Sequence, residues 1–239
     1  MAATATSNPS RGRRTVWLFD LDNTLHNASH AALPQINVGM TDYIVRELGV
    51  DAAEADALRR RYWLRYGATL LGLVRHHGVQ AAHFLHDTHQ LPGLEQRVHG
   101  HAHDLHALWR LPGRRVLLTN APAAYAARVL AVLGIAQGFH RVISIEGMHL
   151  FGELRPKPDA RMLRWVAARL RVHPSRCVLV EDTLEHQKAA RRVGMGTVWM
   201  QRWLTAERQA RIGAARLSAQ PPYVDLRVRR LRDLLRRPT

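Results

Sequence analysis

The sequence has little cysteine and no long apolar run. Cys177 is the single cysteine among 239 residues, so one chain cannot form an internal disulfide, and this usage fits a reducing compartment. No apolar run approaches the ~20 residues that span a bilayer. Residues 1–14 are small, polar and finally basic, without the apolar centre of a secretory signal, which predicts a disordered basic tail. We therefore expect a cytoplasmic protein with no membrane partner.

Acidic residues are also scarce. The chain has 19 Asp and Glu against 35 Lys and Arg, a formal net charge of +16. Such a charge could serve nucleic-acid binding, but the basic residues are spread along the chain and no nucleic-acid motif accompanies them. We interpret the charge as an arginine-rich surface that attracts anionic substrates, and expect no specific nucleic-acid binding. A non-catalytic, basic nucleic-acid-binding protein stays as a rival hypothesis. The densest basic stretch, residues 227–237, is predicted to be an amphipathic terminal helix.

Short apolar runs alternate with helical patterns through much of the chain. The runs are typical of buried parallel strands and lie at residues 16–19, 116–118, 142–145, 177–180 and 197–200. Helical patterns cover residues 123–133, a helix whose first turn holds Pro158, and residues 185–193. This alternation predicts an α/β fold with a doubly wound parallel sheet.

Residues 26–100 interrupt the alternation, because they contain no clear strand. A helical stripe runs through Ile36 and Ile44, and Asp51 with Glu54 resembles a capping pair that begins a second helix. Residues 59–74 continue in a helical pattern. We predict an all-helical cap insertion at residues 26–100, on a core domain formed by residues 15–25 and 101–239. A stripe at residues 98–109 predicts one helix that returns to the core.

Polar side chains follow three of the predicted strands. These are Asp20 and Asp22 after the first strand, Thr119 and Asn120 after the second, and Glu181 and Asp182 after a later one. Because ligands bind at the carboxyl ends of the strands in a doubly wound sheet, these six residues are expected to converge on one site.

The residue types fit the hydrolysis of a phosphate monoester. A carboxylate can attack phosphorus and form an aspartyl phosphate, which divides a very slow reaction into two easier steps. Mg²⁺ prefers oxygen ligands, and Asp20 and Asp182, with Glu181 nearby, can supply them. Asp22 can protonate the leaving oxygen and later activate water. Lys157, the Thr119 hydroxyl and Asn120 can bind the phosphoryl oxygens.

Four motifs in this order resemble the haloacid dehalogenase-like (HAD) hydrolases. They are Asp20-Leu21-Asp22-Asn23-Thr24, Thr119-Asn120, Lys157 within Arg155-Pro156-Lys157-Pro158, and Glu181-Asp182. The resemblance implies that Asp20 is the nucleophile, that Asp22 is the acid/base with its backbone carbonyl on Mg²⁺, and that the insertion is a C1-type cap. Asp22 argues against a dehalogenase, because dehalogenases of the superfamily lack an acid at that position. A mutase shares the same acids.

A finer similarity points to the pyrimidine 5′-nucleotidase subfamily. It rests on residues 18–25, 61–73 and 194–198, and implies a nucleoside 5′-monophosphate as substrate. His186 departs from the subfamily, whose members often have Asn there. The alternative substrate is a small phosphorylated metabolite such as phosphoglycolate or a sugar phosphate.

Four residues in or next to the insertion are candidates for substrate contact. Tyr62, Trp63 and Tyr66 could stack on a base or could pack the helices. His26 could reach the substrate entrance or be an exposed hinge residue. Histidines are dense at His99, His101, His103 and His106, but their spacing matches no known zinc pattern, so we expect no metal there.

Overall fold

A six-stranded parallel sheet forms the centre of the computed structural model, which describes residues 15–213, 217 and 219–236. The strand order is β3-β2-β1-β6-β7-β8. The strands are β1 Val16–Phe19, β2 Arg114–Leu118, β3 Arg141–Ile143, β6 Cys177–Glu181, β7 Gly196–Met200 and β8 Leu226–Val228, and an antiparallel pair, β4 His149–Leu150 with β5 Glu153–Leu154, lies apart. The predicted tail, residues 1–14, lies outside the described residues.

Both faces of the sheet are buried, as a doubly wound fold requires. Successive side chains of a strand point to opposite faces, and accordingly Trp17 and Phe19 belong to one apolar cluster while Val16 and Leu18 belong to another. The second cluster includes Met162 from a covering helix. The predicted α/β class, a doubly wound parallel sheet with an all-helical insertion, is confirmed.

Residues 20–113 connect β1 to β2 and contain helices but no strand. The helices, with the bounds given by the structure, are α1 Ala28–Ala31, α2 Leu33–Leu48, α3 Ala52–Tyr66, α4 Thr69–His77, α5 Ala81–Thr88, α6 Leu94–Arg97, α7 Ala102–Leu105 and α8 Ala107–Arg110. The Asp51 carboxylate accepts a hydrogen bond from the Glu54 backbone N–H at 2.8 Å and caps α3 as predicted. Tyr43, Leu58 and Leu73 belong to a third apolar cluster, built almost entirely from these helices.

The remaining helices cover the sheet. They are α9 Ala123–Val132, α10 Ala160–Arg169, α11 Leu184–Arg192 and α12 Ala206–Ile212. Pro158 does not lie in the first turn of α10, because Asp159 is the N-cap and accepts from the backbone N–H of Arg161 and Met162. The helix therefore begins two residues after the proline, and it buries Met162, Leu163 and Val166.

Three other local predictions were wrong. Residues 98–109 form two short helices, α7 and α8, and Trp109 remains 46% exposed. Residues 59–74 are divided at Gly67, where φ is +78°. Residues 227–236 form part of β8 and a 3-10 turn at Leu231–Arg236, because pairing with β7 draws this segment into the edge of the sheet; Arg237 lies outside the described residues.

The helical insertion touches the core beside Lys157. A Cβ atom on Gly67 would lie 2.9 Å from Cδ of Pro158, so the backbone between α3 and α4 rests directly on that proline ring. Ile145, which follows β3, packs into the apolar cluster of the insertion. These contacts place the insertion above the carboxyl edge of the sheet.

The packing of α3 on α4 yields a stability prediction. A Cβ on Gly72 would lie 2.1 Å from Cγ of Tyr62, so Gly72→Ala forces the ring or a helix to move. We expect the free energy of unfolding to fall by about 1–3 kcal/mol. Gly39→Ala is the matched control within α2, because its Cβ would meet Thr88 at an ordinary 3.5 Å. It should be neutral or slightly stabilising. Urea unfolding of both variants measures the difference, and equal losses would contradict the packing argument.

Candidate active site

Strand register brings the acidic residues together. β1 pairs with β6 so that Phe19 lies opposite Val180, and the next residues, Asp20 and Glu181, therefore emerge side by side. The backbone N–H of Asp20 donates to the Val180 carbonyl at 3.0 Å. Asp182 follows directly, and all three acids are buried.

Lys157 lies between two of these carboxylates. Its Nζ donates to Asp20 Oδ1 at 2.6 Å and to Glu181 Oε2 at 2.7 Å, and the lysine is 1% exposed. Burial lowers the pKa of Lys157, but attraction by Asp20 and Glu181 outweighs it and leaves that pKa above its usual value. The lysine is therefore a fixed positive charge at the base of the site.

Asn120 holds the backbone of Lys157 at both of its polar groups. The Asn120 amide Nδ2 donates to the Lys157 carbonyl at 2.9 Å, and Oδ1 accepts from the Lys157 N–H at 2.9 Å. Thr119 is 1% exposed, and its hydroxyl oxygen accepts from the Ala121 N–H at 3.0 Å. The end of β2 thus presents Thr119 at the site and fixes the lysine loop through Asn120.

The acidic trio has a donor set suited to a hard cation. Carboxylate oxygens of Asp20, Glu181 and Asp182 lie within 4.8 Å of one another. Burial, and then repulsion by Glu181, raise the pKa of Asp20 well above its usual value. Oxygen ligands in a crowded negative site fit a divalent cation such as Mg²⁺ or Ca²⁺. Within the described part of the chain this is the one such cluster of His, Cys, Asp or Glu side chains.

Three groups outside the acidic trio lie against the Glu181 carboxylate. Besides Lys157, the ring of His186 lies 3.0 Å from Glu181 Oε2, and the Thr183 N–H donates to Oε1 at 3.2 Å. Burial raises the pKa of Glu181, but the electrostatic attraction of Lys157 and then of His186 lowers it by a larger amount. The pKa therefore lies well below its usual value. His186, where the resemblance led us to expect Asn, thus lies beside the acid that precedes Asp182.

Asp22 lies apart from the trio and faces a different pair of side chains. Its Oδ1 accepts from the Tyr125 hydroxyl at 2.7 Å and lies 2.9 Å from His26 Nε2. The Asp22 side chain is 24% exposed, whereas His26 is fully buried. The hypothesis of an exposed hinge at His26 is therefore wrong. Sequence reasoning missed Tyr125, because it occupies a core position in the apolar pattern of α9.

The aromatic candidates in the insertion occupy different environments. Tyr62 is 4% exposed and packs on Gly72. Its hydroxyl forms a hydrogen bond of 2.7 Å with His77 Nε2, so the residue is part of the packing between helices. Trp63 is 41% exposed. The Tyr66 hydroxyl lies 2.6 Å from His76 Nε2, and the residue directly precedes Gly67, which meets the core at Pro158.

Fold and site together define a doubly wound α/β protein with acids at the ends of β1 and β6, Thr119 and Asn120 at the end of β2, and a buried lysine. A family model for haloacid dehalogenase-like hydrolases matches residues 15–194. The chain belongs to this family.

Individual relatives share the fold over most of the chain. A HAD phosphatase from Thermococcus onnurineus is 19% identical with a TM-score of 0.59, covering 93% of this chain and 96% of that one. L-2-haloacid dehalogenase from Xanthobacter autotrophicus is 19% identical with a TM-score of 0.53, over 93% and 97%. Since both chemistries occur among these neighbours, the fold alone does not select between them.

A curated protein also matches in sequence. Phosphate metabolism protein 8 of Saccharomyces cerevisiae is 26% identical over 200 residues, which are 77% of this chain. The match spans 61% of the length of that relative. No helix among the described residues has the length and apolar character that a membrane crossing needs.

The amide of Asn120 yields a prediction about the lysine loop. Asn120→Asp replaces the donor that binds the Lys157 carbonyl with an oxygen, which leaves two acceptors facing each other. We expect a loss of about 1–3 kcal/mol in the free energy of unfolding at neutral pH. Asn37→Asp is the matched control, because exposed Asn37 only accepts a hydrogen bond, from Arg59 at 3.0 Å. Thermal unfolding compares them, and equal midpoints would contradict the assigned role.

Proposed function

We propose that this protein is a Mg²⁺-dependent phosphatase that hydrolyses phosphomonoesters through a phosphorylated Asp20. The observation that carries the proposal is the pairing of two carboxyl groups with different surroundings, buried Asp20 on Lys157 and partly exposed Asp22 on Tyr125. Two such groups can divide the work of nucleophile and acid/base. An acid at position 22 favours phosphoryl transfer over dehalogenation.

We assign the attack on phosphorus to Asp20. Its Oδ1 is bound by Lys157, which leaves Oδ2 to form the new bond to phosphorus as the ester oxygen departs. Lys157, fixed by Asn120, and the hydroxyl of Thr119 hold the phosphoryl oxygens and stabilise the charge that develops on them. Water then displaces phosphate from Asp20 and restores the carboxylate.

The acidic trio supports a magnesium site. Asp20, Asp182 and the backbone carbonyl of Asp22 would hold the ion, with Glu181 bound directly or through water. When bound, Mg²⁺ neutralises the repulsion between these carboxylates and the phosphate. Because Lys157 Nζ donates to Glu181 Oε2 at 2.7 Å, Glu181 would also orient the lysine.

Asp22 transfers protons in both half-reactions. It gives a proton to the leaving oxygen, and then takes one from the attacking water. Its side chain is 24% exposed, which would let the carboxyl group meet both molecules.

The helical insertion would act as a C1-type cap. We assign residues 26–100 to the cap and residues 15–25 with 101–239 to the core domain. The apolar cluster that the insertion builds for itself and its contact with Pro158 beside the lysine support this division. A cap over the site excludes bulk water and shapes the leaving-group pocket.

The substrate we propose is a pyrimidine nucleoside 5′-monophosphate. The resemblance of residues 18–25, 61–73 and 194–198 to that subfamily supports it, and Tyr66 lies where the insertion meets the core. A small phosphorylated metabolite, such as phosphoglycolate or a sugar phosphate, is the second candidate. It is favoured by the burial of Tyr62 and by the engagement of the Tyr66 hydroxyl with His76, since both reduce the aromatic surface open to a base.

The central test is phosphate release. Across a panel of phosphomonoesters, wild-type protein should release phosphate with Mg²⁺ and lose that activity in EDTA. Asp20→Asn removes the nucleophile and should lower kcat by about 10³-fold or more, with an unchanged circular dichroism spectrum. The control Asp42→Asn, at an exposed position of α2, should keep full activity. Activity of Asp20→Asn equal to wild type would refute the mechanism.

The substrate class is tested at Tyr66. If this ring contacts a base, Tyr66→Ala should raise KM for UMP by about tenfold and leave KM for p-nitrophenyl phosphate nearly unchanged. Steady-state kinetics with both substrates measures the difference. The control is Trp109→Ala, because Trp109 is an exposed aromatic residue outside the insertion. Equal changes for both substrates would rule out base contact at Tyr66.

A further inference from the structure

Two buried side chains converge on a single oxygen of Asp22. The Tyr125 hydroxyl donates to Oδ1 at 2.7 Å, and His26 Nε2 lies 2.9 Å from the same atom. Tyr125 is 1% exposed and His26 0%. The two donors come from different parts of the chain, since Tyr125 lies in α9 after β2 and His26 lies in the loop after β1.

The contacts of His26 define which of its ring nitrogens carries hydrogen. Nδ1 is buried and has no hydrogen-bond partner among the described residues. A hydrogen there would be a buried donor without an acceptor, which is costly, whereas a hydrogen on Nε2 points to the carboxylate. His26 therefore donates to Asp22 through Nε2.

Both hydrogen bonds occupy Oδ1, so Asp22 keeps its other oxygen for chemistry. None of the described residues donates a hydrogen bond to Oδ2, and the carboxyl group is partly exposed. We propose that Tyr125 and His26 are positioning residues that hold Asp22 by Oδ1 and orient Oδ2 to exchange protons with the leaving group and with water. This inference rests on the proposed phosphatase function.

Two neighbouring rings pack against Tyr125 and restrict the direction of its hydroxyl group. The ring of His89, at the end of α5, meets the Tyr125 ring edge to face at 5.7 Å between centroids. The His26 ring lies on another side at 6.5 Å. A phenylalanine would fill the same space, so the hydroxyl adds its hydrogen bond to Asp22 and a longer contact, 3.4 Å, with His26 Nε2. The insertion thereby reaches the acid/base through His89 and Tyr125.

The leaving group provides a readout that a structural role would not change. An alkoxide needs a proton to depart, whereas a dinitrophenolate leaves without one, so poor positioning of the acid slows only the first. We expect Tyr125→Phe to lower kcat/KM for an alkyl phosphate by tenfold or more and for 2,4-dinitrophenyl phosphate by less than about threefold. The measurement uses the full chain with Mg²⁺, and kcat/KM reports the phosphoryl-transfer step.

Two controls separate positioning from folding. Tyr43→Phe removes an equally buried hydroxyl, which lies 3.0 Å from His83 Nδ1 within the insertion. It should leave the ratio of kcat/KM for the two substrates unchanged. At position 26, His26→Gln keeps a donor near the place of Nε2 and should recover alkyl phosphate hydrolysis relative to His26→Leu.

The outcomes distinguish this inference from the proposed function. In one outcome, the wild type is active while Tyr125→Phe lowers kcat/KM for both substrates equally, or for neither. That result overturns the positioning role and leaves the proposed phosphatase function standing. The same holds if His26→Gln is no better than His26→Leu. A wild type that hydrolyses no phosphomonoester overturns the proposed function and the positioning role together. A selective loss on the alkyl substrate supports both.

Discussion

The ion pairs of Lys157 with Asp20 and Glu181 are the interaction on which the rest of the site depends. Both carboxylates and the ammonium group are buried, at 2.6 and 2.7 Å, and removal of one partner from such a pair typically costs about 3–5 kcal/mol. Without the lysine, Asp20, Glu181 and Asp182 would be three buried acids in contact. The register of β1 with β6 brings these acids side by side. The ammonium group of Lys157, from another segment, offsets the repulsion between them.

That cation is itself held by the fold. Lys157 comes from the loop before α10, and Asn120 at the end of β2 binds its backbone N–H and carbonyl. Three strand ends and one loop thus constrain each other through few polar contacts. Three carboxyl groups face a single ammonium group, so the trio as a whole favours a further cation.

Much of this arrangement could be predicted from the sequence, because it follows from local patterns. Short apolar runs that end in acidic or polar residues predicted β1, β2 and β6 and the convergence of their ends. The contact of Tyr125 with Asp22 joins residues 103 positions apart and could not be predicted, because the tyrosine also satisfies the apolar period of α9. The start of α10 was misplaced since both Pro158 and Asp159 suit a helix start, and only the hydrogen bonds of Asp159 decide.

The edge strand β8 shows a different limit of sequence patterns. Residues 226–236 alternate arginine with leucine or valine, a pattern that fits a short strand as well as one face of a helix. Residues 226–228 form a strand because they pair with β7. Local periodicity cannot supply this information, because the partner strand is the deciding factor. The same reasoning applies to residues 98–109, where Leu105 and Trp109 share a helical period but only Leu105 finds apolar partners in the core.

The lysine loop also joins the chemistry to the insertion. The Lys157 side chain points to Asp20, while the ring of the next residue, Pro158, supports Gly67 between α3 and α4. On the opposite side of the site, His89 at the end of α5 packs on Tyr125, which binds Asp22. The insertion therefore contacts the immediate neighbours of both carboxyl groups. Under the proposed mechanism, a displacement of the insertion would act on Asp20 through the lysine loop and on Asp22 through Tyr125, so helices that contribute none of the four motifs would influence both proposed half-reactions.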